Sequence, residues 1–243
     1  MSNRTSSDFG LDRAARSPRG ESRNRSAQMP CQRIFLLSPA NASGPRAKAM
    51  LERSMRSELA ARVYAEGAPL GEIFSFISAL YFRGKLAYAR AFVVPPRGLP
   101  GIFVITASGG LVSPDAILDV DNLREISRSK IDPRDATYRV PLLRDAERIR
   151  ARLGGNCEVV LLGSIATQKY VEPLLSVFGK RLLFPAEFVG RGDMSRGGLM
   201  LRCERAGVQL SYIPAISAVR HGSRPARLPK MNTVSPNILP ASR

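Results

Sequence analysis

"NCEVVLLGSIATQKY", residues 156–170, sets the reading of the fold. Val159, Val160, Leu161 and Leu162 make an apolar run with no polar residue at alternate positions. An alternating strand has one wet face, whereas an unbroken apolar strand is covered on both. The run stops at Gly163 and Ser164, and a helical pattern opens near Lys169 and Tyr170. Strand, small-residue bend and helix are the repeating unit of a parallel α/β sheet.

The same grammar recurs outward from this stretch. "RIFLLS" (33–38), "IFVITAS" (102–108) and "RLLFP" (181–185) are short buried runs, and "VQLSYIP" (208–214) is a fifth. Between them lie amphipathic patterns. Ala47, Met50, Leu51, Met55, Leu59 and Val63 predict one helix from Pro45, with Ser43 as its cap. Ile73, Phe74, Ile77, Leu80 and Tyr81 share a helical face, with Gly84 as a possible interruption before Lys85, Tyr88 and Phe92. Ser113, Pro114 and Asp115 read as a helix start. Further helices are expected at 141–153, in "ATQKYVEPLLSVFGK" and at about 195–206. The predicted fold is therefore three-layer α/β, a mostly parallel sheet of about five strands with helices on both faces. Residues 1–32 read as a disordered basic tail, 33–215 as a single α/β domain, and 216–243 as a second basic, poorly ordered tail.

Charge points to partners rather than to fold. The chain carries 37 Lys and Arg against 20 Asp and Glu, a formal net charge of +17. Both tails and the body share the excess. The plain explanation is a solvated surface; the functional one is a polyanion such as nucleic acid. The three cysteines (Cys31, Cys157 and Cys203) are far apart and form no CxxC, which speaks against structural zinc and for a reducing, cytoplasmic setting. No apolar run has the ~18–20 residues of a membrane span. The single histidine, His221, lies in the basic tail, so a Ser-His-Asp or multi-histidine site is excluded from the domain.

Ligands of open parallel sheets bind beyond the carboxyl ends of the strands. The four loops expected there are "SPANASGPRAK", "ASGGLVSPD", "GSIATQKY" and "PAEFVGRGDMSRGG". Small residues let backbone amides approach an anion, and helix N-termini add partial positive charge. Arg191 and Arg196, with Gly192 between them, would clamp a phosphate. Ser108, Gly109 and Gly110, together with Gly163 and Ser164, would line the pocket through the backbone. Asp193 or Asp115 would supply a carboxylate, although Asp193 also suits a helix cap or an ion pair with a neighbouring arginine. Lys48 and Lys169 are candidate charge stabilisers. "YFRGKLAY" interleaves aromatics with Arg83 and Lys85, a pattern that serves base stacking and phosphate contact or, at helical spacing, a core. Arg220, Arg224, Arg227 and Lys230 would add salt-dependent contacts to nucleic acid. No Walker loop or dinucleotide fingerprint is present, and no cofactor is legible.

The runs "SALYFRGKLAYARAF", "VITASGGLVSPDAILDVDNL" and "VVLLGSIATQKYVEPLL" resemble an uncharacterised bacterial and phage group related to the peroxide-stress (YaaA-like) proteins. More remotely they resemble a module of archaeosine synthase and uracil-DNA-glycosylase-like folds. The likeness spans about residues 33–206 and is most specific at "SGGLVSPD". It implies a three-layer α/β fold and a link to nucleobases or nucleic acid. In the archaeosine module a Cys-Ser-x-x-Lys-type loop follows the first strand. Here Ser38 stands at the cysteine and Lys48 lies farther along. Three functions stay open: nucleic-acid-associated base or nucleotide modification, a small-molecule nucleotide or sugar-phosphate enzyme, and a non-catalytic interaction protein.

Overall fold

The computed structural model describes residues 31–54, 56–78, 80–218, 222–226 and 228. The predicted N-terminal tail up to residue 30, and Arg220, Arg227 and Lys230, lie outside them.

The centre of the sheet is strand β1 (Gln32–Leu37) paired in parallel with β6 (Cys157–Leu162), in register from Gln32 on Cys157 to Leu37 on Leu162. Ile34 through Leu37 and Val159 through Leu162 are wholly buried, as strands covered on both faces must be. β3 (Ile102–Ile105) lies in parallel on the other side of β1, and β7 (Leu182–Pro185) in parallel beyond β6. Two antiparallel strands finish the rims, β4 (Leu111–Val112) beside β3 and β8 (Tyr212–Pro214) beside β7. The six-stranded order is β4-β3-β1-β6-β7-β8. A separate pair joins β2 (Ala68–Pro69) to β5 (Ile117–Leu118). The sheet thus exceeds the expected five strands by β4, whose two residues are too few to show a period.

Helices α3 (Leu70–Ser78), α4 (Leu80–Phe92) and α8 (Asp193–Ala206) pack together on one face. Helices α6 (Ala136–Arg150) and α7 (Gln168–Phe178) form the other layer. The predicted helix from Pro45 to Val63 is two helices, α1 (Pro45–Leu51) and α2 (Glu58–Ala65). Arg53 turns the chain at φ 55°, and Ser57 caps α2 by accepting from the Ala60 amide at 3.1 Å. Met50, Leu59 and Val63 are buried alike in both pieces, so the apolar spacing ran on across the break. Ser43 does not cap α1; its amide and hydroxyl both donate to Asn41 Oδ1. Ser113 to Asp115 form a turn rather than a helix start. The helix there, α5 (Val120–Arg128), opens later on a capping box of Asp119 and Asn122. α6 begins at Ala136, five residues ahead of expectation, because Asp135 caps it.

Gly84 does not interrupt α4. It makes the closest helix crossing in the upper layer possible. A Cβ on Gly84 would stand 2.6 Å from the Gly197 carbonyl oxygen of α8, and one on Gly197 would stand 2.7 Å from Leu80 O and 2.9 Å from Tyr81 Cα. The two backbones touch, so the side chains beside the crossing are brought together.

Adjacent glycines should therefore respond oppositely. Gly197→Ala forces the helices apart and is expected to cost about 2 kcal/mol. Gly198→Ala, whose Cβ would meet only Leu228 Cδ1 at 4.0 Å, should gain about 0.5–1 kcal/mol from helix propensity. Urea unfolding of the two variants measures both signs.

Candidate functional site

Leaving β1, the chain passes through α1 to α4 and returns to β3 on one side; leaving β6, it passes through α7 and returns to β7 on the other. The connections diverge between the carboxyl ends of β1 and β6, the position where open α/β sheets place ligands. Here Ser38 follows β1 and its amide donates to Leu162 O at 3.1 Å. Gly163 follows β6, where a Cβ would meet Ser38 Cβ at 3.0 Å.

A cavity of about 1290 Å³ opens over this point. The loop Pro39 to Ser43 forms one wall, the first turn of α7 another, and Tyr81 and Asp193 close it beneath α4 and α8. Its remaining wall is the segment between α5 and α6, including Lys130 and Arg134. Four cations, Lys130, Arg134, Arg139 and Lys169, and three carboxylates, Asp132, Glu172 and Asp193, border it. Arg134 pairs with Asp132 at 2.7 Å and Arg139 with Glu172 at 2.8 Å. The Arg134 guanidinium holds the Asp132 carboxyl down at about 2.

Behind Tyr81 lies an unusual interior group. Lys85 of α4 is 0% exposed. Its Nζ donates to Ser38 O and, at 2.9 Å, to Ser38 Oγ. The same nitrogen sits 4.3 Å from the Tyr81 ring centroid and 5.0 Å from that of Phe82. Burial pushes its pKa down to about 7; Asp193 draws it back up and Arg196 depresses it further. Tyr81 is 8% exposed; Arg196 and Ser38 lie close to its hydroxyl, but among the described residues none meets it at hydrogen-bonding distance and angle. Burial pushes the phenol up to about 12, against a smaller opposing pull from Arg196 and Ser38, so it is a neutral donor at ordinary pH. Tyr170 at the start of α7 is likewise pushed up to about 12 by burial, with Tyr81 and Asp193 adding to the effect.

Of the residues expected at the site, Asp193 and Lys169 border the cavity. Asp193 is the first residue of α8 and stands 3.7 Å from Arg196. Lys85 lies buried under the cavity rather than on a nucleic-acid-facing surface, because the α4–α8 crossing turns it inward. Arg83 is exposed on the same helix, and Arg224 is exposed near the chain's end. Arg191 and Arg196 do not form a clamp over the cavity. Arg196 is buried, donates twice to Phe188 O at 3.2 and 3.1 Å, and lies over the Phe188 ring. Arg191 donates to Glu187 O, to Ser195 Oγ and to Ala226 O. Both guanidinium groups serve carbonyls of the loop before α8, while Gly192 is its N-cap.

Ser108, Gly109 and Gly110 form the bend between β3 and β4, with only their neighbour Ala107 in the cavity wall. The Gly109 amide is taken by Thr106 Oγ1 at 3.0 Å, and Ser108 Oγ donates to Glu125. Ser164 Oγ accepts from the Ala166 amide. Asp115 is paired with Arg90 at 2.7 Å on an exposed surface, and Lys48 is exposed on α1; neither borders the cavity. Lys130, Arg134 and Arg139 were not singled out from the sequence, since they follow no apolar strand. Tyr81 carried a signal, a phenol four residues before a lysine in an otherwise apolar stripe. Among the described residues no group of three or more His, Cys, Asp or Glu is placed to hold a metal ion, and no helix is long and apolar enough to cross a membrane. No family model, curated protein or solved structure matches the chain.

Lys85 gives a pH signature. Between about 7 and its ordinary 10.5, the unfolded chain holds a proton that the folded chain does not. Stability from this group therefore rises with pH across that window, by about 1.4 kcal/mol per unit, and is flat below it. Lys85→Met should remove this slope. Urea unfolding at several pH values in the window should show the variant's stability relative to the parent falling by that amount per unit as the pH rises.

Proposed function

We propose that the cavity binds a nucleotide-class ligand, a phosphate joined to a planar ring, as the first step of base or nucleotide chemistry. One observation carries this reading: a cavity of about 1290 Å³ at the switch point of the sheet, bordered by lysine and arginine and by two tyrosines. That volume exceeds the ~300–1,000 Å³ usual for small-ligand clefts, which suits a whole nucleotide better than a free base. Tyr170 offers an aromatic face, while Lys130 and Lys169 offer positive charge.

Thermal unfolding with nucleoside mono-, di- and triphosphates, against the unphosphorylated nucleosides, tests it. A binding nucleotide should stabilise by about 2.7 kcal/mol at one hundred times its Kd, and nucleosides by less. Lys169→Ala and Lys130→Ala should each weaken binding about fivefold, the worth of a partly exposed charge contact. Failure of every nucleotide at millimolar concentration to move the transition overturns the reading.

The formal net charge of +17 favours a related reading, in which the ligand is part of a nucleic acid. Exposed cations such as Arg83 and Arg224 would then contact phosphates outside the cavity. Retention on single-stranded DNA or RNA should fall linearly with salt on a log–log plot. Absence of retention at low salt excludes the polymer and leaves the free nucleotide.

A further inference from the structure

Beneath the cavity a phenol and two basic groups, Tyr81, Lys85 and Arg196, are gathered, and the basic groups are held by Ser38 and by the Phe188 carbonyl. The Tyr81 side chain borders the cavity, and among the described residues its buried hydroxyl meets no hydrogen-bond partner. Buried polar groups are nearly always paired, and an unpaired one points to a missing partner such as a ligand or water. Lys85 lies behind its ring, and the Arg196 guanidinium is close enough to act on both groups. Among the described residues the carboxylate acting on this cluster is Asp193, whose side chain is 65% exposed at the rim. The first turns of α7 and α8 also border the cavity, through Gln168 to Tyr170 and through Asp193. Neither helix has a side-chain cap on its leading amides. Such helix starts favour anions.

We propose that the cavity floor at Tyr81 is an oxyanion subsite for a phosphate-like tetrahedral anion, whose arrival draws a proton onto Lys85. The phenol donates to the anion directly. Lys85 acts from behind it, and its surroundings already suit an ammonium group. Ser38 supplies two acceptors, its carbonyl and its hydroxyl, and the Tyr81 ring supplies a π face at 4.3 Å. The charged and titratable groups that face it are Tyr81 on its own helix, Asp193 and Arg196 from α8, and, beyond Tyr81, Tyr170 from α7. Desolvation keeps the amine neutral in the free protein above about pH 7. An anion a ring's width away offsets that penalty, and the proton comes from solvent. The subsite deepens the nucleotide reading, on which it rests for its biological ligand: the phosphate sits on the floor and the planar ring toward the rim.

The test is calorimetric titration of the full chain with sulfate, whose charge is constant from about pH 6 to 9, and in parallel with a nucleoside monophosphate. Sulfate affinity should fall as the pH rises, approaching about tenfold per unit above the Lys85 transition. Titration near pH 8 in two buffers of different ionisation heat should show uptake of close to one proton per anion. Tyr81→Phe keeps the ring over Lys85 and removes the donor; it should bind sulfate about five- to tenfold more weakly while melting near the parent temperature. Lys85→Met should abolish both the pH dependence and the proton uptake. Sulfate affinity that is flat with pH, unchanged in Tyr81→Phe, or absent overturns the subsite. Nucleotide binding that ignores Tyr81→Phe and pH leaves the nucleotide reading standing and removes the subsite. Sulfate binding with the expected pH and variant responses, but no nucleotide binding, does the reverse.

Discussion

The contact of α4 with α8 at Gly84 and Gly197 is the constraint on which the rest of the upper layer depends. Two helices that meet backbone to backbone leave no room for side chains at the crossing and crowd those on either side of it. One turn of α4 then contributes Tyr81 and Lys85, and the first turn of α8 contributes Asp193 and Arg196. With bulkier residues at the crossing, the helices would sit farther apart, as ordinary helix pairs do at 8–10 Å. Lys85 would then lose its sealed position between Ser38 and the aromatic rings. The grouping of Tyr81, Lys85, Asp193 and Arg196 beneath the cavity is thus a by-product of close helix packing.

The sheet contributes the complementary constraint. β1 and β6 run in register to their carboxyl ends, so Ser38 and Gly163 emerge side by side. Ser38 is fixed by its amide to β6, and both of its acceptors then face the Lys85 nitrogen. A lysine in this position costs stability at every pH below its unfolded pKa, most of all below about 7, because the fold disfavours its charged form.

The strand core was legible because β1 and β6 are covered on both faces, and such strands write themselves as unbroken apolar runs. β4, β2 and β5 were not, since two residues carry no period. The break between α1 and α2 was hidden for a different reason: Met50 and Leu59 face the same core, so their spacing imitates one helix. At the site, Asp193 and Lys169 were legible as polar residues where a strand-end loop enters a helix. Arg191 and Arg196 misled because a glycine-rich loop exposes carbonyls as well as amides. Here the carbonyls of Glu187 and Phe188 take the guanidinium groups. Lys85 and Tyr81 sat in plain view at four-residue spacing, but direction cannot be read from spacing alone. It is the glycine crossing, a contact between segments over a hundred residues apart, that turns them toward the sheet.

The two rims of the sheet have a consequence of another kind. Each ends in a reversed strand of only two or three residues, and β8 and its neighbour β7 both terminate in proline, at Pro214 and Pro185. Few backbone donors and acceptors are left there for a second chain to pair with, which is how natural sheets avoid growing sideways into aggregates. Among the described residues, the main sheet therefore leaves contacts with other chains to the helical layers and loops, where side-chain chemistry rather than ladder extension chooses the partner.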